Sequence, residues 1–85
     1  MPVYVDRLRR VGNRAPKCFG GWACHMAADD PVELNAMAKQ IGLRREWLHG
    51  DHYDLSASKR RLAIRLGALP VHVLDLVDLR QKHRR

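Results

Sequence analysis

The amino-acid sequence predicts a small α+β or α/β domain, in which a short sheet of three to four strands packs with two to three helices. Two observations lead to this class: strand-like apolar segments occur in the first third of the chain, and helix start and stop signals follow in the rest. The 85 residues have room for a single domain spanning 1–85, with one modest core. Because so small a core gives a thin stability margin, a homo-oligomer is compatible with this length.

Two strands are predicted in the first part of the chain. Val3-Tyr4-Val5 is β-branched and aromatic, which is typical of a strand, and this strand would end at Asp6. Residues 22–26 alternate in character, which puts His25 on the face opposite to three apolar side chains, those of Trp22, Cys24 and Met26. Between the two strands, residues 7–21 are predicted to form a long basic loop because glycine, asparagine and proline interrupt them.

A helix is predicted over residues 31–41. Asp30 is a suitable N-cap, Pro31 suits the first helical position, and Glu33 completes an acidic form of the capping box. Gly42 supplies the left-handed residue that ends the helix. Apolar side chains recur at helical spacing and are expected to face the core: Leu34, Met37, Ala38 and Ile41.

A second helix is predicted over about residues 57–66. Ser56 would cap its beginning and Gly67 would end it. The side chains predicted to face inward are Leu62, Ala63 and Leu66. The preceding residues 44–48 are ambiguous, and we interpret them as a brief turn followed by a short strand.

The end of the chain predicts a last strand and a last helix. A strand is possible within residues 68–73. Because proline cannot donate a backbone hydrogen bond, either this strand lies at a sheet edge or Pro70 is among its first residues. Residues 73–81 are apolar enough for a third helix, and the basic tail 82–85 is expected to fray.

The order of these elements suggests where a ligand would bind. If the main strands run parallel, their carboxyl ends present Asp6, then residues 25–29, then residues 52–54. In open α/β sheets ligands bind at that edge.

The charge of the chain predicts an anionic partner. Sixteen lysines and arginines against nine aspartates and glutamates give a net charge of +7, and residues 7–17 contain no acid. Such a field attracts phosphate backbones, so nucleic acid or another polyanion is the predicted partner. The alternative is a solvated surface in which arginine is simply the common base. The bases occur in three clusters: Arg7, Arg9, Arg10, Arg14 and Lys17; Lys59, Arg60, Arg61 and Arg65; Arg80, Lys82, Arg84 and Arg85.

No membrane contact is predicted. The sequence has no apolar run near the roughly 18 residues that a membrane span needs. The first residues lack the basic start and apolar middle of a signal peptide, so we expect a cytoplasmic location.

The two cysteines are predicted to be buried or idle thiols. Cys18, Cys24 and His25 offer three zinc ligands, but no paired CxxC motif completes a tetrahedral site.

A set of polar residues includes the side chains that a divalent cation needs. Asp6, His25, His52 and Asp54 are the candidate metal ligands, and Asp29 joins them in the candidate polar site. A metal there would activate water against a phosphodiester. The alternative interpretation, which we favour, is that the carboxylates cap backbone amides and that His25 is a hydrogen-bonded core residue.

The start of the second helix is the predicted phosphate site. Amide donors at a helix N-terminus and the basic residues that follow bind an anion without any metal. Tyr53 or Trp47 would stack on a base, although a core position is favoured for Trp47. Residues 49–52 also hold ligand-type side chains, but Gly50 implies a mobile turn. The residues assigned to the phosphate site are His52, Tyr53, Asp54, Lys59, Arg60 and Arg61.

The chain resembles a known family, domain of unknown function 4031, which comprises small proteins of actinobacteria and their phages. The resemblance covers residues 3 to about 73 and implies an origin and a fold unit, but no activity. The residues that carry it are Val3-Tyr4-Val5-Asp6, Cys24-His25-Met26, Ala28-Asp29, Glu33-Leu34, Ala36-Met37-Ala38, Ile41-Gly42, Trp47, His52-Tyr53-Asp54-Leu55, Ser58-Lys59-Arg60, Ala63 and Gly67-Ala68.

Three functions remain open. The first is a small basic accessory protein of phage or actinobacterial type that binds nucleic acid or another phosphate-rich ligand. The second is a metal-dependent phosphoesterase or nuclease, and the third is a factor that binds an acidic host protein. We favour a binding protein over an enzyme because the sequence contains no complete catalytic motif.

Overall fold

A computed structural model describes residues 2–72, and this part of the chain folds around one mixed sheet. The strands are β1 (Val3–Val5), β2 (Arg9–Arg10), β3 (Trp22–Ala28), β4 (Tyr53–Leu55) and β5 (Leu69–Pro70); the helices are α1 (Pro31–Gln40) and α2 (Ala57–Arg65). Short 3-10 turns occur at Gly12–Arg14, Lys17–Phe19 and Arg45–Trp47. The predicted α+β class is confirmed, with one strand more than expected. The predicted helix 73–81 and tail 82–85 lie outside the described residues.

The longest strand, β3, organises the sheet. It pairs antiparallel with β1, β2 and β4, while β5 pairs parallel with β1. The premise of mainly parallel strands is therefore wrong. Antiparallel pairing instead places residues of three strands side by side, and the register His25↔Asp54 is the pairing that matters for the site.

The two faces of the sheet differ in chemistry because side chains alternate along each strand. One face belongs to the hydrophobic core and carries Val3, Val5, Cys24, Met26, Tyr53 and Leu55. The other face carries Asp6, Ala23, His25, Ala27 and Asp54. The predicted orientation of His25, opposite to Cys24 and Met26, is confirmed, whereas Trp22 at the strand end is exposed.

The predicted loop 7–21 contains a strand that the sequence did not indicate. β1 and β2 pair with successive parts of β3, in the registers Val5↔Met26 and Arg9↔Ala23. Four residue steps separate Val5 from Arg9, but only three separate Met26 from Ala23. One extra residue is therefore accommodated between the two pairings, as in a β-bulge, which bends the chain directly after Asp6.

Helix α1 forms as its local signals predict. Asp30 accepts a hydrogen bond from the amide of Val32 at 2.8 Å, and Gly42 adopts φ +83° after the helix ends. Three residues of the apolar stripe are buried and Met37 packs partly against them: Leu34, Ala38 and Ile41.

Helix α2 is also confirmed, and Ser56 accepts a hydrogen bond from the amide of Lys59 at 3.3 Å. Ala63 is fully buried and Leu62 packs against the core, but Leu66 is exposed. The inward prediction for Leu66 is wrong because the helix ends at Arg65, so the apolar stripe does not continue.

Two further predictions concern short strands. A strand at the end of residues 44–48 is not observed; the chain forms a 3-10 turn there and enters the sheet later, as β4. The predicted last strand is confirmed in part, since Leu69–Pro70 lies at an edge of the sheet beside β1. Within residues 2–72, no helix is long and apolar enough to cross a membrane.

Candidate functional site

Three polar residues lie in a row across the middle of the sheet. His25 of β3 is paired with Asp54 of β4, and its carbonyl oxygen accepts a hydrogen bond from the amide of Asp6 at 3.1 Å. Side chains of directly opposed residues project from the same face of an antiparallel pair. The sheet therefore brings together three of the residues that the sequence singled out.

Asp6 is fully buried and is bound to His25 twice. Its carboxylate accepts a hydrogen bond from the His25 amide at 2.6 Å, and a second oxygen lies 2.9 Å from His25 Nδ1. Burial raises the pKa of Asp6, but hydrogen bonds from His25 and the positive charge of Arg9 outweigh it, so the pKa is lowered overall. Asp6 thus remains ionised beneath the imidazole.

The imidazole of His25 has a second neighbour, Arg9, whose Nη2 atom lies 2.7 Å from Nδ1 and 3.3 Å from Nε2. A carboxylate cannot donate and a guanidinium cannot accept, so Nδ1 forms only one of its two possible hydrogen bonds. We assign the Nδ1 proton to Asp6, because Asp6 is fully buried whereas the Arg9 side chain is 46% exposed. This assignment leaves the lone pair of His25 on Nε2.

A tight hairpin adds two more histidines. The backbones of His49 and His52 exchange hydrogen bonds of 2.8 and 3.1 Å, and Gly50 adopts φ +62° at the first central position of the turn. The turn that Gly50 predicted is thus present, and its two flanking histidines are paired. It sets the His52 ring edge-on to that of His25, with centroids 5.0 Å apart.

The ring nitrogens of these histidines surround one carboxylate. His25 Nε2 and His52 Nε2 lie 3.7 and 3.9 Å from Asp54 Oδ1, and His49 Nε2 lies 3.7 Å from Asp54 Oδ2. His52 Nδ1 faces away from Asp54, 3.2 Å from Asp51 Oδ1. Ligand atoms of His25, His52 and Asp54 all lie within 4.8 Å of one another, so this group could hold a metal ion.

A cleft of about 440 Å³ opens beside this cluster. One part of its lining comes from β2 and the following 3-10 turn, with Arg9, Arg10 and Arg14. The other part comes from the strands and hairpin of the cluster, with His25, His49 and Asp54. Ala23, which is paired with Arg9, also belongs to the lining.

The residues assigned to a phosphate site at α2 have other contacts. Lys59 Nζ donates to the carbonyl oxygen of Ile41 at 2.6 Å, where α1 ends, and Arg60 Nε donates to the carbonyl oxygen of Asp6 at 2.8 Å. Arg61 is exposed. Two of the three basic side chains thus join parts of the protein to each other, while Asp54 lines the cleft and His52 lies in the adjoining cluster.

The two aromatic residues near the predicted phosphate site differ in burial. Tyr53 is buried with its hydroxyl 2.7 Å from Asn35 Oδ1, so it belongs to the core and does not stack on a ligand. Trp47 is 49% exposed, so the favoured core position is wrong. Trp47 lies in a 3-10 turn, which does not bury the indole as a strand of the sheet would.

Asp29 is placed apart from the cluster. It follows the other end of β3, four residues beyond His25, or roughly 13 Å along an extended strand. Its Oδ2 atom accepts a hydrogen bond from the Tyr4 hydroxyl at 3.2 Å. Burial, together with the negative charge of Asp29, raises the pKa of Tyr4.

The cysteines do not join the cluster either. Cys24 is buried on the core face of β3, and burial raises the pKa of its thiol to about 12. Cys18 is exposed in the 3-10 turn at Lys17–Phe19.

Sequence reasoning missed Asp51 as the partner of His52 and gave too little weight to His49. Both follow from the two-residue hairpin, and the available signal was Gly50 between two potential ligands. It also placed the arginines of residues 7–17 in a loop, whereas β2 fixes Arg9 and Arg10 beside the cluster.

A family model described as "Protein of unknown function (DUF4031)" matches residues 3–83. No curated protein and no solved structure matches the chain.

Proposed function

The chain belongs to the DUF4031 family, and from the geometry of its cleft we propose that it binds a phosphate-bearing ligand, with nucleic acid as the first candidate. The observation that carries the proposal is the presence of Arg9, Arg10 and Arg14 in the lining of one cleft. A guanidinium presents a planar fork of donors that matches phosphate oxygens. The binding surface is therefore the cleft and not the beginning of α2.

The charges that surround the cleft support an anionic ligand. The carboxylate of Asp6 accepts hydrogen bonds from His25, and the guanidinium of Arg9, whose Nη2 lies 3.7 Å from Asp6 Oδ2, balances its charge. Asp54 contributes the other carboxylate and faces three imidazoles. Two arginines, Arg10 and Arg14, add positive charge without an acidic partner in the cleft lining.

Fluorescence anisotropy with labelled single-stranded and duplex oligonucleotides, over a series of salt concentrations, tests the proposal. The variant Arg10→Ala/Arg14→Ala should weaken binding at every salt concentration. It should also reduce the slope of log affinity against log salt by about 1.8 for duplex, since each lost phosphate contact removes about 0.9.

A matched control is Arg44→Ala/Arg65→Ala, which removes the same charge at two exposed positions outside the cleft lining. It should leave the slope close to that of the parent protein. Equal losses in the two variants would place binding on the general surface, and no binding at low salt would refute the proposal in favour of an acidic protein partner.

A second candidate function, hydrolysis of a phosphoester, is favoured by the cluster of His25, His52 and Asp54 beside the arginines. His25, His52 and Asp54 would hold a divalent metal, whose chemistry would be to activate a water for attack on phosphorus, the proton of that water passing to solvent. The bond from phosphorus to the leaving oxygen would break, and that oxygen would take a proton from water. The arginines would neutralise the charge on the non-bridging oxygens.

Hydrolysis is tested with bis(p-nitrophenyl) phosphate and with a labelled oligonucleotide in the presence of Zn²⁺ or Mn²⁺. Release of p-nitrophenolate that is lost in Asp54→Asn would support it. Oligonucleotide binding without turnover under any metal would leave the binding function and refute the hydrolytic one.

A further inference from the structure

We infer that His25, His52 and Asp54 form a site for a divalent transition-metal ion of the zinc class. Two imidazole nitrogens and one carboxylate oxygen lie within 4.8 Å of one another at the edge of the cleft. The inference deepens the proposed function, because an ion there would face the phosphate-binding arginines. The ion itself needs only these three side chains.

The separations within the cluster are those of ligands around an ion and not those of direct hydrogen bonds. The Nε2 atoms of His25 and His52 lie 3.7 and 3.9 Å from Asp54 Oδ1, beyond hydrogen-bond range. Two ligands about 2.1 Å from a tetrahedral zinc ion are about 3.4 Å apart. The two histidine–Asp54 separations exceed that value by about 0.3 and 0.5 Å, and side-chain rotation would have to close these gaps and the widest separation of the set, which is at most 4.8 Å.

Both histidines are already oriented for coordination through Nε2. His25 Nδ1 lies 2.9 Å from Asp6, and His52 Nδ1 lies 3.2 Å from Asp51. In metal sites, a carboxylate that accepts the other ring proton fixes the tautomer and makes the coordinating nitrogen more basic. The same arrangement occurs here on two histidines that face one carboxylate.

The ligand set indicates the class of metal. Two imidazoles with one carboxylate suit zinc and neighbouring transition metals, whereas calcium and magnesium prefer oxygen ligands alone. Three protein ligands leave at least one position of the ion open, as in sites that bind water or substrate. His49 is 67% exposed, and its Nε2 atom lies 3.7 Å from the other oxygen of Asp54.

The position of Arg9 does not prevent metal binding, although its cation lies close to the site. Its Nη2 atom is 3.3 Å from His25 Nε2, where it would oppose an ion. The side chain is long and partly exposed, so it can turn toward the cleft when the ion enters.

Isothermal titration of the chelator-treated protein with Zn²⁺ tests the inference. We expect one zinc ion per chain, and His52→Asn and Asp54→Asn should each weaken binding by about tenfold or more. Asp51→Asn, which changes no ligand, should weaken it by about tenfold to a hundredfold through the orientation of His52. Circular dichroism of each variant should show the spectrum of the folded parent protein.

Matched controls are His72→Asn, an exposed histidine outside the cluster, and Asp29→Asn, a carboxylate at the far end of β3. Both should bind zinc as the parent does. The absorption spectrum of the Co²⁺ complex should contain ligand-field bands without a thiolate charge-transfer band, which excludes Cys18 and Cys24 as ligands.

Absence of zinc binding, or equal binding by the parent and by His52→Asn and Asp54→Asn, would overturn the inference and leave a water-bridged hydrogen-bond network. Loss of binding in Cys18→Ala would overturn it in favour of a thiolate site. Zinc binding is measured without any phosphate ligand, so failure of oligonucleotide binding would refute the proposed function and leave the metal site intact.

Discussion

Asp6 and His25 are joined by two hydrogen bonds across adjacent strands, from the His25 amide at 2.6 Å and from the His25 imidazole at 2.9 Å. The hydrogen bond from the His25 amide to the Asp6 carboxylate stands where a backbone carbonyl would otherwise accept, beside the bulge that follows β1. The second orients the ring toward Asp54. A single buried carboxylate therefore connects the pairing of two strands with the geometry of the site.

Asp6→Asn should destabilise the fold. An asparagine has one acceptor oxygen and would place its NH₂ group against one of the two donors of His25. We expect the free energy of unfolding, measured by urea denaturation, to fall by about 1–3 kcal/mol. Asp30→Asn is the control, since asparagine caps a helix about as well as aspartate. Similar losses in the two variants would contradict the role of Asp6.

The stability of the metal-free protein should depend on pH through Asp6. Its pKa is lowered in the folded state, so its contribution is fully present above the unfolded value of about 3.9 and is lost as pH falls through the folded pKa. The difference in unfolding free energy between the parent and Asp6→Asn should therefore shrink in acid below about pH 4. A difference that stays constant across this range would show that Asp6 is not ionised in the folded protein.

The helices could be predicted because their signals are local. Asp30, Pro31 and Gly42 define α1 without reference to the rest of the chain, and Ser56 does the same for the start of α2. β2 could not be predicted, since two arginines have no strand preference of their own and become a strand only by pairing with β3.

The residues of the site could be predicted from the sequence, but their arrangement could not. Asp6, His25, His52 and Asp54 were named from residue type, and the structure brings them together. Their meeting depends on antiparallel register, which is a non-local property and not the parallel edge that the sequence suggested. The role of Asp51 as the partner of His52 depends in the same way on the hairpin.

Lys59 is expected to act in stability rather than in ligand binding. Its ammonium donates to the last turn of α1, and it is the first group that a side chain at Gly42 would meet, at 3.1 Å. Lys59→Met keeps the aliphatic stem, so thermal denaturation should report a loss of about 1–2 kcal/mol from the hydrogen bond and the helix dipole alone. Lys39→Met, at an exposed position of α1, should be nearly neutral. A Lys59→Met protein of parent stability that loses oligonucleotide affinity would restore the phosphate site at α2.

The two thiols should react at very different rates with a neutral alkylating agent. Cys24 is buried and its pKa is raised to about 12, so almost no thiolate is present near neutral pH. Cys18 is exposed. Mass spectrometry of the native protein should find rapid modification at Cys18 alone. In the urea-unfolded protein, both cysteines should be modified rapidly. Rapid labelling of native Cys24 would mean that β3 opens to solvent.

Arg9 should affect the two proposed ligands in opposite directions. Its guanidinium lies 3.3 Å from the nitrogen that would coordinate the metal, and it lines the cleft that would hold the phosphate. Arg9→Ala removes the positive charge that would repel the metal ion, so zinc affinity should rise by about threefold to tenfold at low ionic strength. The same variant removes a hydrogen-bond donor to phosphate, so oligonucleotide affinity should fall and its salt slope should flatten.

Arg10→Ala is the control and should reduce only oligonucleotide affinity, because no contact joins Arg10 to the histidines in the described part of the chain. Titration of both variants with zinc and, separately, with an oligonucleotide measures the four effects. If Arg9→Ala lowers both affinities together, Arg9 supports the conformation of the whole site and does not compete with the ion.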